Sequence, residues 1–176
     1  MDGYVLDTNH VIPLLRDGHE HRPAIQRRLE RIPADSPIYV ATVTVAELEV
    51  GCCLGTAARS DAQEEIRRVI RKNGLTPLEF TVHTAAEYGV LKASLMQKYG
   101  RGGLKQAAKW PEMWTSPLKG HPLGVDELDL IMVSHGIERN LVLVTTDPMN
   151  RIFDGVLGLR TSLRIQNWTD LSGSPT

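Results

Sequence analysis

The sequence predicts an α/β fold built on a mainly parallel sheet of four to five strands. Two observations carry this. Short β-rich apolar runs, among them Tyr4-Val5-Leu6 and Leu141-Val142-Leu143-Val144, are separated by stretches with helical apolar spacing. Strands alternating with helices in this way indicate parallel βαβ connections. The 176 residues suffice for one domain with a proper core. Neither a repeat nor a dividing linker is visible, so residues 1–170 read as a single domain and residues 171–176 as a flexible tail.

Each element has its own justification. Tyr4-Val5-Leu6 is a short buried strand. Residues 9–16 follow as a helix with apolar Val11, Ile12, Leu14 and Leu15, and Pro13 is expected in its first turn, where proline is tolerated. A second helix is expected over residues 24–31. Residues 37–42 are β-rich and bounded by Pro and Ser, the pattern of a strand. Residues 44–54 place Val45, Leu48 and Cys52 on one helical face. Residues 60–72 carry an apolar stripe of Ile66, Val69 and Ile70, and Asn73-Gly74 ends that helix. A strand over 75–80 and a long helix over 84–99 follow, the helix stopped by Gly100. After an irregular stretch come a helix at 127–138, a strand at 141–145, one helical turn at 149–153 and a last strand at 163–168.

Composition excludes several classes. Hydrophobic content of 41% and charged content of 23% are ordinary for a globular protein. A net charge of -1 gives no global attraction to nucleic acid, so any such contact needs local patches. Cys52 and Cys53 are adjacent and supply no disulfide framework, which fits a reducing cytoplasm. They also lack the second Cys or His pair that zinc spacing requires. Asp2 and Asp7 interrupt any secretory leader. Nothing approaches the ~20 apolar residues of a membrane span, so no membrane partner is expected.

Residues 101–124 break the rhythm as an insertion. They hold Gly102-Gly103, three prolines and two tryptophans, with Arg101, Lys105, Lys109 and Lys119 against one acid, Glu112. Lys105, Lys109 and Lys119 are candidate nucleic-acid contacts. Trp110 and Trp114, four apart, would share one face of a helix and either stack on bases or pack the insertion onto the body, packing being favoured. Arg67, Arg68, Arg71 and Lys72 read as a solvated helix face. His10 borders the candidate site without a triad partner, and His135 reads as a packed core residue.

Four acids stand at predicted element boundaries: Asp7, Glu47, Asp129 and Asp147. Singly, each has a structural explanation. Asp7 can cap the first helix. Thr44-Val45-Ala46-Glu47 matches a capping box, and Asp126-Glu127-Leu128-Asp129 a variant of one. Asp147 can cap a turn that begins at Pro148. Jointly they fall where strand ends and helix starts meet at one edge of a parallel sheet, where ligands bind. A carboxylate pair at ~4 Å costs on the order of 4 kcal/mol at an effective dielectric of 20. A hard divalent cation removes that penalty.

These residues carry a family resemblance. Val5-Leu6-Asp7-Thr8-Asn9 resembles the opening of PIN-domain ribonucleases, especially VapC-type toxins. Thr42-Val43-Thr44-Val45-Ala46-Glu47-Leu48-Glu49-Val50-Gly51 is similar to their second motif, and Asp129-Leu130-Ile131-Met132-Val133-Ser134-His135-Gly136 to their third. Leu143-Val144-Thr145-Thr146-Asp147 resembles the fourth, with Gly158-Leu159-Arg160 and Asn167-Trp168 similar to the closing strand region. The long insertion and Pro148 depart from the pattern.

The resemblance implies a three-layer α/β/α sandwich and a Mg²⁺- or Mn²⁺-dependent endoribonuclease. Asp7, Glu47, Asp129 and Asp147 would be the catalytic and metal-holding acids, and Thr8, Asn9 and Thr145 would orient them. It further implies an RNA substrate, a cognate antitoxin and a homodimer. A PIN nuclease of RNA maturation or decay and a non-catalytic metal-stabilised module are the alternatives. A phosphatase of the haloacid-dehalogenase kind is disfavoured, because its Asp-x-Asp motif meets Asn9 at the second acid.

Overall fold

The computed structural model describes residues 2–55, 59–100, 109–115, 120–156 and 163–169. The strands are β1 (Tyr4–Leu6), β2 (Ile38–Ala41), β3 (Thr76–Leu78), β4 (Val142–Val144) and β5 (Arg164–Gln166). They form one parallel sheet in the order β3-β2-β1-β4-β5. The register sets Leu6 beside both Val40 and Val144. Pro77 lies in the edge strand β3, where a residue without an N–H does least harm to the ladder.

The helices are α1 (Thr8–Leu15), α2 (Arg22–Arg31), α3 (Thr42–Leu54), α4 (Arg59–Lys72), α5 (Val82–Tyr99), α6 (Glu127–Glu138) and α7 (Asn150–Gly155). Strand alternation divides the apolar residues into two cores. Tyr4, Leu6, Val40, Val142 and Val144 meet Val11 and Leu14 of α1, Ile25 of α2, Leu48 of α3, and Ile66 and Val69 of α4. Val5, Ala41 and Leu143 turn the other way, onto Leu91 and Leu95 of α5, Leu130 and Val133 of α6, and Ile152 of α7. The sheet is therefore covered on both sides, a three-layer α/β/α sandwich. Burial on both faces explains why the strands read as unbroken apolar runs. The chain runs outward from β1 to β2 and β3, then returns to lay β4 on the other side of β1. In open α/β sheets such a reversal is where a ligand crevice lies, here beyond the C-terminal ends of β1 and β4.

Two helix ends are built alike. At α4 the Leu75 N–H donates to the Ile70 carbonyl (3.0 Å) and the Gly74 N–H to that of Arg71 (3.1 Å), with Gly74 at φ +64°. At α6 the Leu141 N–H donates to the Gly136 carbonyl (2.9 Å) and that of Asn140 to Ile137 (3.3 Å), with Asn140 at φ 52°. Both are left-handed Schellman ends, suited to Gly and Asn.

Several expectations shift. α1 begins at Thr8 with Asp7 as its N-cap, so Pro13 is the sixth helical residue rather than first-turn. Its missing N–H removes the bond to the Asn9 carbonyl. α2 starts at Arg22, with Pro23 in its first turn. β2 passes straight into α3, which begins at Thr42 with no side-chain cap. The tryptophans do not share a helical face. They flank a three-residue 3₁₀ turn, Pro111–Met113, which buries Trp114 and leaves Trp110 exposed. Trp114 holds this segment to the core beside Leu123 and Val125, and an antiparallel bridge pairs Thr115 with Pro122. Lys105, Lys119, Arg101, Gly158-Leu159-Arg160 and the 171–176 tail lie outside the described residues.

Candidate active site

Asp7 follows β1 directly, and its backbone N–H donates to the Val144 carbonyl of β4 (2.9 Å). The switch-point pairing of these strands thus sets where the carboxylate stands. Its Oδ1 accepts the Thr8 N–H (2.7 Å). Its Oδ2 accepts the Asn9 amide (2.7 Å) and the Thr145 hydroxyl (2.8 Å). A carboxylate offers about four acceptor sites, so three bonds leave one on Oδ1. The Thr145 hydroxyl, by contrast, is fully used: besides donating to Asp7 it accepts Asn9 Nδ2 (3.0 Å) and the Asp147 N–H (3.0 Å).

Thr8 ties a second acid to the first. Its N–H serves Asp7, and its hydroxyl donates to Glu47 on α3. Glu47 does not reach back to cap its helix, as the Thr44 capping box would require. Thr44 is buried instead, and its hydroxyl faces the Met132 sulfur at 3.7 Å. Asp129 does form the reciprocal box at the start of α6. Its N–H donates to Asp126 Oδ1 (2.8 Å), and its Oδ2 accepts the Asp126 N–H (3.0 Å). Asp147 accepts the Met149 N–H (2.7 Å) in a tight turn; α7 begins only at Asn150.

The electrostatics join these groups. Burial pushes the Asp129 carboxyl up to about 7, against the bond from the Asp126 backbone, and the charges of Asp126, Asp147 and Asp7 act in the same direction as burial. Asp7 is raised by burial first; bonds from Thr145 and Thr8 oppose this, and Asp126 and Asp147 reinforce it. Glu47 is exposed as a residue, yet partial enclosure of its carboxyl raises it, opposed by Thr8 and aided by Asp7 and Asp126. No Lys or Arg among the described residues forms an ion pair with any of the four acids.

The donor chemistry, oxygen ligands with uncompensated charge, fits a hard divalent cation. Among the described residues no three His, Cys, Asp or Glu side chains close into a metal-holding group. The acids thus share one electrostatic neighbourhood without forming a finished coordination shell.

Asp126 is a functional candidate that sequence reasoning treated only as a cap. Its charge acts on Asp7, Glu47 and Asp129. The signal was the Asp126-Glu127-Leu128-Asp129 run, whose i,i+3 spacing sets two acids together at a helix start. Beside it, Lys92 pairs with Glu127 (2.7 Å) and lies over the Tyr88 and Trp110 rings at 5.3 and 5.6 Å. Lys109 is exposed, 5.4 Å from the centre of the Trp110 ring. The α4 basic run is exposed, with Arg68 and Arg71 paired to Glu65 and Glu64 (2.6 Å each). His135 is fully buried against Phe80, and neither ring nitrogen has a hydrogen-bond partner among the described residues.

Residues 4–154 match the family model described as the PIN domain. The chain belongs to the PIN-domain family. PIN domains are in general nucleases, and PIN nucleases typically use divalent metals. No curated protein matches this PIN domain by sequence. Solved structures share its fold. VapBC2 from Rickettsia felis, bound to a DNA fragment from its promoter, has a TM-score of 0.65 and 22% identity over 94% of this chain and 98% of that one. VapBC-1 from nontypeable Haemophilus influenzae gives 0.65 and 22% over 95% and 98%. VapBC-5 from Mycobacterium tuberculosis, of the VapBC family of toxin–antitoxin systems, gives 0.52 and 20% over 95% and 99%. No helix among the described residues is long and apolar enough to cross a membrane.

Proposed function

We propose that this PIN domain is a Mg²⁺- or Mn²⁺-dependent endoribonuclease and the toxin of a toxin–antitoxin pair. The observation that carries the nuclease reading is the group of partly buried acids at the β1/β4 crevice with no Lys or Arg paired to them among the described residues. Asp7, Glu47, Asp129 and Asp147 would hold the cation. When bound, it would supply a water of lowered pKa and charge stabilisation on the scissile phosphate. Thr8 keeps Asp7 and Glu47 in fixed relation, and Asn9 and Thr145 leave Asp7 one open acceptor position. Lys105, Lys109 and Lys119 would meet the RNA backbone.

Likeness to VapBC complexes over nearly the whole chain supports the toxin role. An antitoxin would silence the protein by covering the acidic crevice. A homodimer in the cytoplasm belongs to the same reading. Asp7→Asn tests it. Mg²⁺-dependent RNA cleavage is expected to vanish while the circular dichroism spectrum is retained; undiminished cleavage would overturn the assignment. An adjacent reading frame for a small DNA-binding protein that copurifies with this chain is expected of a toxin. Its absence would favour a nuclease of RNA maturation or decay.

A further inference from the structure

We infer that His10 is a positioning residue: it fixes the Asn9 carboxamide and, through it, the Asp7 carboxylate, tying the site to the chain that follows β5. The Trp168 N–H donates to His10 Nε2 at 3.0 Å. Nε2 therefore carries no proton, and Nδ1 bears the ring hydrogen. Nδ1 stands 2.6 Å from Asn9 Oδ1 and donates to it. Asn9 Oδ1 also accepts the Thr146 N–H (3.3 Å), while Nδ2 donates to Asp7 Oδ2 and to Thr145 Oγ1. Both protons and both lone pairs of the carboxamide are thus engaged, in one orientation only. A flip would set Asn9 Oδ1 against Asp7 Oδ2, oxygen against oxygen.

The imidazole is well held. It is fully buried, with the Trp168 ring edge-on at 6.4 Å, and Trp168 in turn meets Tyr4 of β1 at 5.4 Å. Burial depresses the His10 pKa to about 4, so the ring stays neutral and keeps one donor and one acceptor. Without the Nδ1 donor, Asn9 Oδ1 retains only the longer bond from Thr146, so the carboxamide keeps its orientation but is held less firmly against Asp7.

The inference rests on the metal-holding role proposed for Asp7, and its test separates the two. His10→Gln places its amide near the Nε2 position, keeping the Trp168 bond and losing the donor to Asn9. His10→Asn places its amide near Nδ1, keeping that donor and losing the bond to Trp168. Mn²⁺ affinity by calorimetry is expected to fall about tenfold in His10→Gln, as is common when a group behind a ligand is lost, and to be kept in His10→Asn. A purely structural histidine predicts instead that affinity follows the melting temperature across both variants, and that result would overturn the inference. Exchange of the Asn9 side-chain amide protons in the metal-free protein decides the matter independently. Faster exchange in His10→Gln than in His10→Asn is expected, and equal rates would overturn the relay. A wild type that binds no Mn²⁺ would sink the metal reading while the exchange comparison still judges the relay.

Discussion

Asp129 shows what an acid gains and loses in this crevice. One of its oxygens closes a capping box, and burial together with Asp126, Asp147 and Asp7 holds its carboxyl at about 7. A folded-state pKa above the ordinary 3.8 means that the fold prefers the protonated acid. That contribution to stability is complete below 3.8 and is lost as pH rises through about 7. Asp7 and Glu47, raised as well, act in the same sense. The melting temperature of metal-free protein should therefore fall from about pH 5 to about pH 8, and Asp129→Asn should flatten the decline. A melting temperature that climbs over this range would contradict the assignment. Mn²⁺ affinity should move the opposite way, rising with pH as the proton competing for the carboxylate is removed. The place of Asp7 at the end of β1 was legible in sequence from the apolar run before it. The anchoring of His10 was not, because its second partner, the backbone of Trp168, lies 158 residues away.

At the scale of elements, the start of α6 carries the sharpest prediction. Asp126 both caps the helix and charges the crevice, and substitution separates the two roles. Asp126→Asn keeps an acceptor for the Asp129 N–H and removes the charge, so stability should hold while the Asp129 titration moves down. Asp126→Ala loses the cap and should cost about 1 kcal/mol. Carboxyl NMR titration and chemical denaturation read the two effects; an unmoved Asp129 in Asp126→Asn would show that the charge of Asp126 takes no part in its shift. The end of α4 was legible in Asn73-Gly74, because a left-handed helix end favours glycine. The start of α3 was not. Thr44 and Glu47 match a capping box locally, but β2 leads without a loop into a helix that begins two residues earlier, so Glu47 passes from the cap to Thr8. Trp110 and Trp114 misled for a related reason: Pro111 opens a 3₁₀ turn too short to bring them to one face.

Across the whole molecule, the sheet order places the site and also orders local stability. β1 is flanked by β2 and β4, and Val5, Leu6, Leu143 and Val144 are fully buried, whereas β3 pairs on one side only. Native-state hydrogen exchange should find the β1 and β4 amides slowest and those of β3 faster. Protection of Leu78 exceeding that of Leu6 would refute this ordering. The sequence by itself determined the α/β class, the boundaries of most elements to within a few residues, and the types of side chain at strand ends, because apolar periodicity and helix-end chemistry are local. Tertiary structure alone decided that β4 returns to the far side of β1, which brings Thr145 onto Asp7 across 138 residues. It alone decided that Asp126 joins the acids and that Trp168 anchors His10. Those outcomes depend on strand order and on which faces bury together, and these are energies of the assembled molecule that no single segment carries.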